Sequence, residues 1–183
     1  MKITLLDGNQ RMEGNDFSQY ANILAKEVGR NHEISYFPLY KMNIRQCTGC
    51  WSCWWKTPGQ CAIKDDSEQI FREVIHSDLL IFASPIIAGF TSSTLKTLQD
   101  RLIVLLHPYI ELIQGECHHR KRYDSYPDFA LLLQKEPGTD EEDIEIITDI
   151  YKRLAINFHC RLQHVWFTET HNTEEIIHDL IHH

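Results

Sequence analysis

The chain has 183 residues, enough for one domain, and its 43% hydrophobic and 24% charged content matches a globular protein rather than a disordered or fibrous one. Eighteen basic against 26 acidic residues leave a formal charge of −8, which argues against nucleic acid or an anionic bilayer as partner. The longest apolar runs, such as Leu102–Leu106, are five residues against the roughly 18 of a membrane span, and the MKITLLDG start is too short for a secretory signal, so a cytoplasmic protein is expected.

Along the chain, strand and helix patterns alternate. Lys2–Leu6 reads as a strand ending in Asp7-Gly8. Phe17, Tyr20, Ala21, Leu24, Ala25 and Val28 keep helical spacing behind an Asn15 or Asp16 cap. His32–Leu39 returns as a strand. Asp65 or Asp66 then caps a helix faced by Ile70, Phe71, Val74 and Ile75. Asp78–Ser84 is a continuous apolar strand ended by Pro85. Leu95, Leu98, Leu102 and Leu106 line a further helix, broken near Pro108, and residues 115–126 look irregular. The basic run His118–Arg122 reads as a solvated loop. Phe129–Gln134 is another apolar strand. Thr139 with Glu142 makes a capping box for a helix faced by Ile144, Ile147, Ile150, Tyr151 and Leu154. Leu162–Thr168 is a fifth strand, and Asn172 with Glu175 caps a final helix.

Five strands alternating with helices imply an α/β fold: a five-stranded parallel sheet between two helical layers, with right-handed crossovers. The simplest arrangement is a flavodoxin-like three-layer αβα sandwich of order 2-1-3-4-5. No linker or repeat appears, so residues 1–183 read as one domain with a Cys/Trp-rich insertion at about 40–64. Ligands of such folds sit outside the carboxyl ends of the strands, which selects the loops at 8–16, 85–91 and 135–139.

Gly8–Asp16 (GNQRMEGND) offers glycines, an arginine and helix-start amides, which suit a single phosphate. It is neither a dinucleotide fingerprint nor a P-loop, because no third glycine and no Lys-Ser/Thr pair follows. An ordinary strand–helix turn capped by Asp16 is the plainer reading. The loop resembles the Gly-Ser-Pro-Arg-x-x-Gly-Asn-Thr/Ser segment of the NADPH-dependent FMN reductase branch of flavodoxin-like proteins. Gly8, Arg11, Gly14 and Asn15 match; Asn9, Gln10 and Asp16 replace the serine, proline and hydroxyl residue. A carboxylate at Asp16 would lower affinity for a phosphate.

Ser84–Arg101 is similar to the same family's Ser-Pro-Val-Tyr-x-Gly…Leu-Lys…Asp-Arg segment, with Ile87 where tyrosine is usual. The resemblance implies FMN with its phosphate on Asn9, Arg11, Gly14, Asn15 and Asp16 and its ring along Pro85, Ile86, Ile87, Ala88, Gly89 and Phe90. It further implies NAD(P)H as electron donor, a small-molecule or protein acceptor, and a homodimer or homotetramer. No acid or base stands out, so no catalytic side chain is named; the chemistry would be the flavin's.

Cys47, Cys50, Cys53 and Cys61 are spaced C-x2-C-x2-C-x7-C, in a compartment where disulfides are rare. Four thiolates this compact suit an iron–sulfur cluster better than zinc, which prefers two knuckles separated by a longer insert. Reduced thiols, packed or redox-active, are the other state open to them. The spacing is similar to that of the iron–sulfur flavoproteins, a subgroup of the same family, which implies a 4Fe–4S cluster passing electrons to FMN. Trp51, Trp54 and Trp55 read as core or interface anchors. A redox module without a small substrate, or a flavin-binding sensor, stands beside the reductase reading.

Overall fold

Apolar runs such as Leu79–Ala83 and Phe129–Leu133 can be buried only with helices covering both faces. The computed structural model, which describes residues 1–10 and 16–181, places both runs at the centre of a parallel sheet. Its strands are β1 (Lys2–Asp7), β2 (Glu33–Pro38), β3 (Leu79–Ile87), β7 (Asp128–Gln134) and β8 (Leu162–Phe167), in the order β2-β1-β3-β7-β8. The expected 2-1-3-4-5 order is therefore present, with β7 and β8 as the fourth and fifth parallel strands. A two-residue strand, β4 (Phe90–Thr91), folds back antiparallel on β3.

Helices α1 (Asp16–Val28) and α6 (Thr173–Ile181) cover one face with Phe17, Leu24, Ile176 and Leu180. Helices α3 (Ser67–Ile75), α4 (Ser93–Arg101) and α5 (Glu141–Asn157) cover the other with Ile70, Phe71, Leu95, Leu98, Ile147 and Tyr151. The remaining helix, α2 (Ser52–Trp55), is a single turn inside the cysteine segment.

Several expectations are corrected. The helix through Leu95 stops at Arg101, with one tighter turn to Leu105. Leu106 instead begins β5 (Leu106–Ile113), which pairs antiparallel with β6 (Glu116–Lys121). Pro108 cannot continue a helix, and Gln114-Gly115, both at positive φ, close the ribbon in a two-residue turn. The basic run His118–Arg122 thus lies mostly in β6, where Arg120 faces Glu111 at 3.8 Å and His118 faces Glu116 at 3.4 Å. Pro85 does not end its strand: β3 runs on to Ile87, with β4 beyond. The capping box is one residue later than expected, on Asp140 and Asp143, while Thr139 Oγ1 accepts from the Glu136 N–H at 3.1 Å. Ile150 points outward; of the two cap candidates for α3, Asp65 accepts from the Ser67 N–H at 3.1 Å and hydroxyl at 2.7 Å, whereas Asp66 makes no side-chain cap. The Asn172–Glu175 box is present in both directions, at 2.8 and 3.0 Å.

Candidate functional site

The sheet order reverses between β1 and β3, so their carboxyl ends frame the crevice where this topology binds ligands. Three short contacts sew the two loops together there. The Gly8 N–H donates to the Ala83 carbonyl at 2.8 Å, the Ser92 hydroxyl donates to the Gly8 carbonyl, and the Gln10 amide donates to the Ser93 hydroxyl. Gly8 has no room for a side chain: a Cβ would stand 2.6 Å from Leu95 Cβ and 2.9 Å from Ser92 Oγ. Ser92 also caps α4, accepting from the Leu95 N–H at 3.2 Å, and its own N–H is held by Ser84 Oγ at 2.9 Å.

Beneath this seam lies Asp7, with no solvent exposure. Its carboxylate accepts from the Asn9 N–H at 3.0 Å, the Tyr36 hydroxyl at 2.8 Å and, more distantly, Ser18 Oγ at 3.5 Å. Burial raises its pKa above the ordinary value, against the pull of those donors. Asn9 is itself buried and donates to Ser18 Oγ at 2.7 Å, so the second residue of the Gly8–Asp16 loop is fixed by its neighbours. Arg11, Gly14 and Asn15 lie outside the described residues. Asp16, exposed, is the first residue of α1. Beside the seam, a cleft of about 270 Å³ opens between residues 39–46 and the first turn of α4.

On the other wall, β3 and β4 are joined by Ala88-Gly89, at φ 49° and 73°, the conformation of a tight hairpin turn. Ala88 pays no glycine-like discount there; a left-handed alanine is strained, and such strain collects at ligand sites. Of the residues expected along a flavin ring, Pro85 and Ile86 are buried in the sheet, whereas Ile87 and Ala88 are exposed and Gly89 and Phe90 partly so. The surface open to a ring is therefore the turn itself. The third loop contributes little: Lys135 donates its N–H to Glu169 at 2.9 Å.

The cysteine segment wraps the far end of α4. Cys47, Cys50, Cys53 and Cys61 all line one small cavity with Arg101, Ile103 and Val104. Burial and the negative charges of Cys61, Cys47 and Cys50 raise the Cys53 thiol, whereas the Ser52 hydroxyl and N–H lower that of exposed Cys50. Left-handed Gly49 and Trp51 turn the chain between the cysteines, of which Cys47 and Cys50 are exposed and Cys53 and Cys61 half-buried. Among the described residues, no three His, Cys, Asp or Glu side chains are gathered to hold a single metal ion. A lone zinc would need sulfurs only about 3.8 Å apart, from Zn–S bonds of about 2.3 Å. Four thiols around a shared cavity, one of them accepting an N–H from the Arg101 guanidinium, fit a polynuclear iron–sulfur group better. Trp54 pins the segment to the β5–β6 ribbon, donating to the Leu106 carbonyl at 3.1 Å and packing its ring on His119. Trp51 and Trp55 are exposed, so only Trp54 is the internal anchor expected of the three. Cys160 is packed against α5, its thiol pushed up by burial, and Cys117 is exposed on β6.

Reading the sequence alone missed the buried ion pair at the base of this segment. Arg101 carries its guanidinium to Asp65, which also accepts N–H bonds from Arg45 at 3.0 Å and Ser67 at 3.1 Å. Burial would raise the Asp65 carboxyl, but the donors from Arg45, Ser67 and Arg101 bring it down to about 2. In the sequence Arg101 stands inside the helix pattern of Leu95–Leu106 and closes the Asp-Arg match, with no spacing signal toward Cys61.

The model of the flavodoxin-like fold matches residues 1–109. The chain belongs to that family. An iron–sulfur flavoprotein of Methanocaldococcus jannaschii is 33% identical over 116 residues, covering 63% of this flavodoxin-like chain and 57% of the relative. One of Archaeoglobus fulgidus is 30% identical over 107 residues, covering 58% and 48%. The flavodoxin-like chain thus spans about half the length of the curated relatives it matches. Among solved structures, an azoreductase from Bacillus anthracis superposes with a TM-score of 0.64 at 12% identity, covering 97% of this chain and 89% of that one. The NAD(P)H:quinone oxidoreductase of Methanothermobacter marburgensis gives 0.60 at 15% identity, covering 91% and 82%. At such identities these two show the shared fold alone. No helix among the described residues is long and apolar enough to cross a membrane.

Proposed function

We propose that this flavodoxin-like chain is an FMN-binding oxidoreductase of the iron–sulfur flavoprotein kind, relaying electrons between NAD(P)H and a small-molecule or protein acceptor. The observation that carries this reading is the convergence of four thiols on one cavity in a chain whose sheet order reverses between β1 and β3. The names of the two archaeal relatives support it.

In this reading Asn9, Arg11, Gly14, Asn15 and Asp16 surround the FMN phosphate, and the exposed turn Ile87–Phe90 supports the ring. Cys47, Cys50, Cys53 and Cys61 hold a 4Fe–4S cluster. FMN, when bound, supplies one- and two-electron exchange; the chain supplies position and potential. Gly8, Ser92 and Gln10 tie the end of β1 to the start of α4, which fixes that edge of the crevice. The half-buried Trp54 and the apolar lining beside Cys53 limit access of water to the sulfur side. A homo-oligomer is part of the proposal, with exposed Trp51 and Trp55 as contact residues.

The test is anaerobic purification with a visible spectrum and analysis for FMN, iron and sulfide, followed by NADH and NADPH oxidation assays. Flavin with about four irons per chain supports the reading. Protein that takes up FMN but neither iron nor NAD(P)H electrons is a flavin-binding sensor instead. Protein that takes up neither cofactor on reconstitution refutes both.

A further inference from the structure

Arg101 ends α4 with its side chain almost wholly buried, at 2% exposure, and its hydrogen bonds go to Arg45, Cys61, Ile63 and Asp65, all in the cysteine segment or its flanks. One amino nitrogen, Nη1, donates to the Asp65 carboxylate and to the Arg45 carbonyl at 3.1 Å. The other, Nη2, donates to the Ile63 carbonyl and to Cys61 Sγ, both at 3.2 Å. A single planar group therefore joins the residue two before Cys47 to the stretch that follows Cys61. The guanidinium also lies over the Phe71 ring at 5.7 Å, which fixes its plane. Only a rigid fork of donors can make these four bonds at once; an ammonium on a flexible stem cannot.

We infer that Arg101 is a positioning residue of the sulfur site. It closes the base of the Cys47–Cys61 segment and, by aiming an N–H at Cys61 Sγ, raises the reduction potential of the cluster held there. This inference rests on the cluster reading given above. Hydrogen bonds to ligand sulfurs withdraw electron density and favour the reduced, more negative cluster. Asp65 balances the guanidinium charge, so the effect belongs to the directed N–H rather than to net charge. The three peptide and carboxylate contacts keep that N–H in register with the sulfur.

The test is Arg101→Met combined with Asp65→Asn, which removes the pair without leaving a buried unpaired charge. Parent and variant are loaded anaerobically, analysed for iron and sulfide, and titrated electrochemically with the cluster followed by electron paramagnetic resonance. The expected result is a loaded variant whose reduction equilibrium constant has fallen tenfold or more, 59 mV for one electron. A variant that is folded by circular dichroism but no longer retains iron supports the closing role. Should the double variant not fold, Arg101→Lys, which keeps the charge and loses the fork, must still show a lowered potential or lost iron. Full iron at the parent's potential, in the double variant or in Arg101→Lys where only that one folds, overturns the inference while leaving the cluster reading intact. A parent that binds no iron overturns both, and that outcome is visible before any variant is made.

Discussion

Replacing Gly89 with alanine perturbs the exposed turn at a single atom. Gly89 sits at φ 73°, and a Cβ there would stand 2.5 Å from Asp143 Oδ1. Left-handed backbone costs a non-glycine residue about 1 kcal/mol. The clash adds to this, because Asp143 can withdraw only by giving up its place in the capping box, where its carboxylate accepts from the Asp140 N–H at 3.3 Å. A cap contact is worth about 1 kcal/mol, so Gly89→Ala should cost about 2 kcal/mol in all. For a chain of this size that lowers the thermal midpoint by about 4–8 °C. The assay is a double-mutant cycle by thermal or urea unfolding, with Asp143→Ala as the second change. In the Asp143→Ala background the alanine has space, and only the backbone cost of about 1 kcal/mol should remain. An equal loss in both backgrounds would refute the contact with Asp143; no loss in either would refute the left-handed turn.

Ala88→Gly should move the other way, releasing left-handed strain at φ 49° for a net gain of about 0.5 kcal/mol, seen as a higher urea midpoint with unchanged slope. Asp7→Asn addresses the buried carboxyl under the seam. Its folded pKa lies above the unfolded one, so its stabilising contribution is complete below the unfolded value near 3.8 and is lost as pH rises through the folded value. The asparagine variant should therefore gain on the parent as pH climbs from 4 toward neutrality, and parallel stability profiles over that range would count against the assignment. Asp16→Ser removes an exposed carboxylate from the start of α1 and should tighten FMN binding by roughly fivefold, about 1 kcal/mol, in a fluorescence titration; unchanged affinity would place the phosphate elsewhere.

Chemistry that repeats along the chain was readable before any coordinates. The runs at Leu79–Ala83 and Phe129–Leu133 permit only strands covered on both sides, and the alternation of strand and helix leaves few ways to order them. The box at Asn172 and Glu175 was equally legible, because its partners are three residues apart. The β5–β6 ribbon was hidden by coincidence: Leu106 continues the spacing of Leu95, Leu98 and Leu102, so one helix period runs straight over a change of structure. Its turn carries Gln114, a residue with no special liking for positive φ, so the usual hairpin signal was missing. Arg101 was out of reach for a different reason. Its contact with Cys61 spans 40 residues, and nothing local marks an arginine at a helix end as buried.

That arginine also explains how two separate loops can belong to one device. Helix α4 begins at Ser92, whose hydroxyl holds the Gly8 carbonyl at the crevice between β1 and β3, and ends at Arg101, whose guanidinium holds Cys61 and Asp65. Nine residues of helix at 1.5 Å each put these two ends about 13 Å apart. Leu95 and Leu98, both without solvent exposure, fix the helix against the sheet between them. The two candidate sites therefore sit at opposite ends of one helix packed on the sheet, and neither can shift along the sheet without breaking its own terminal contacts. Their separation is set by helix length, not by flexible chain, and a fixed separation is what electron exchange between two bound centres requires.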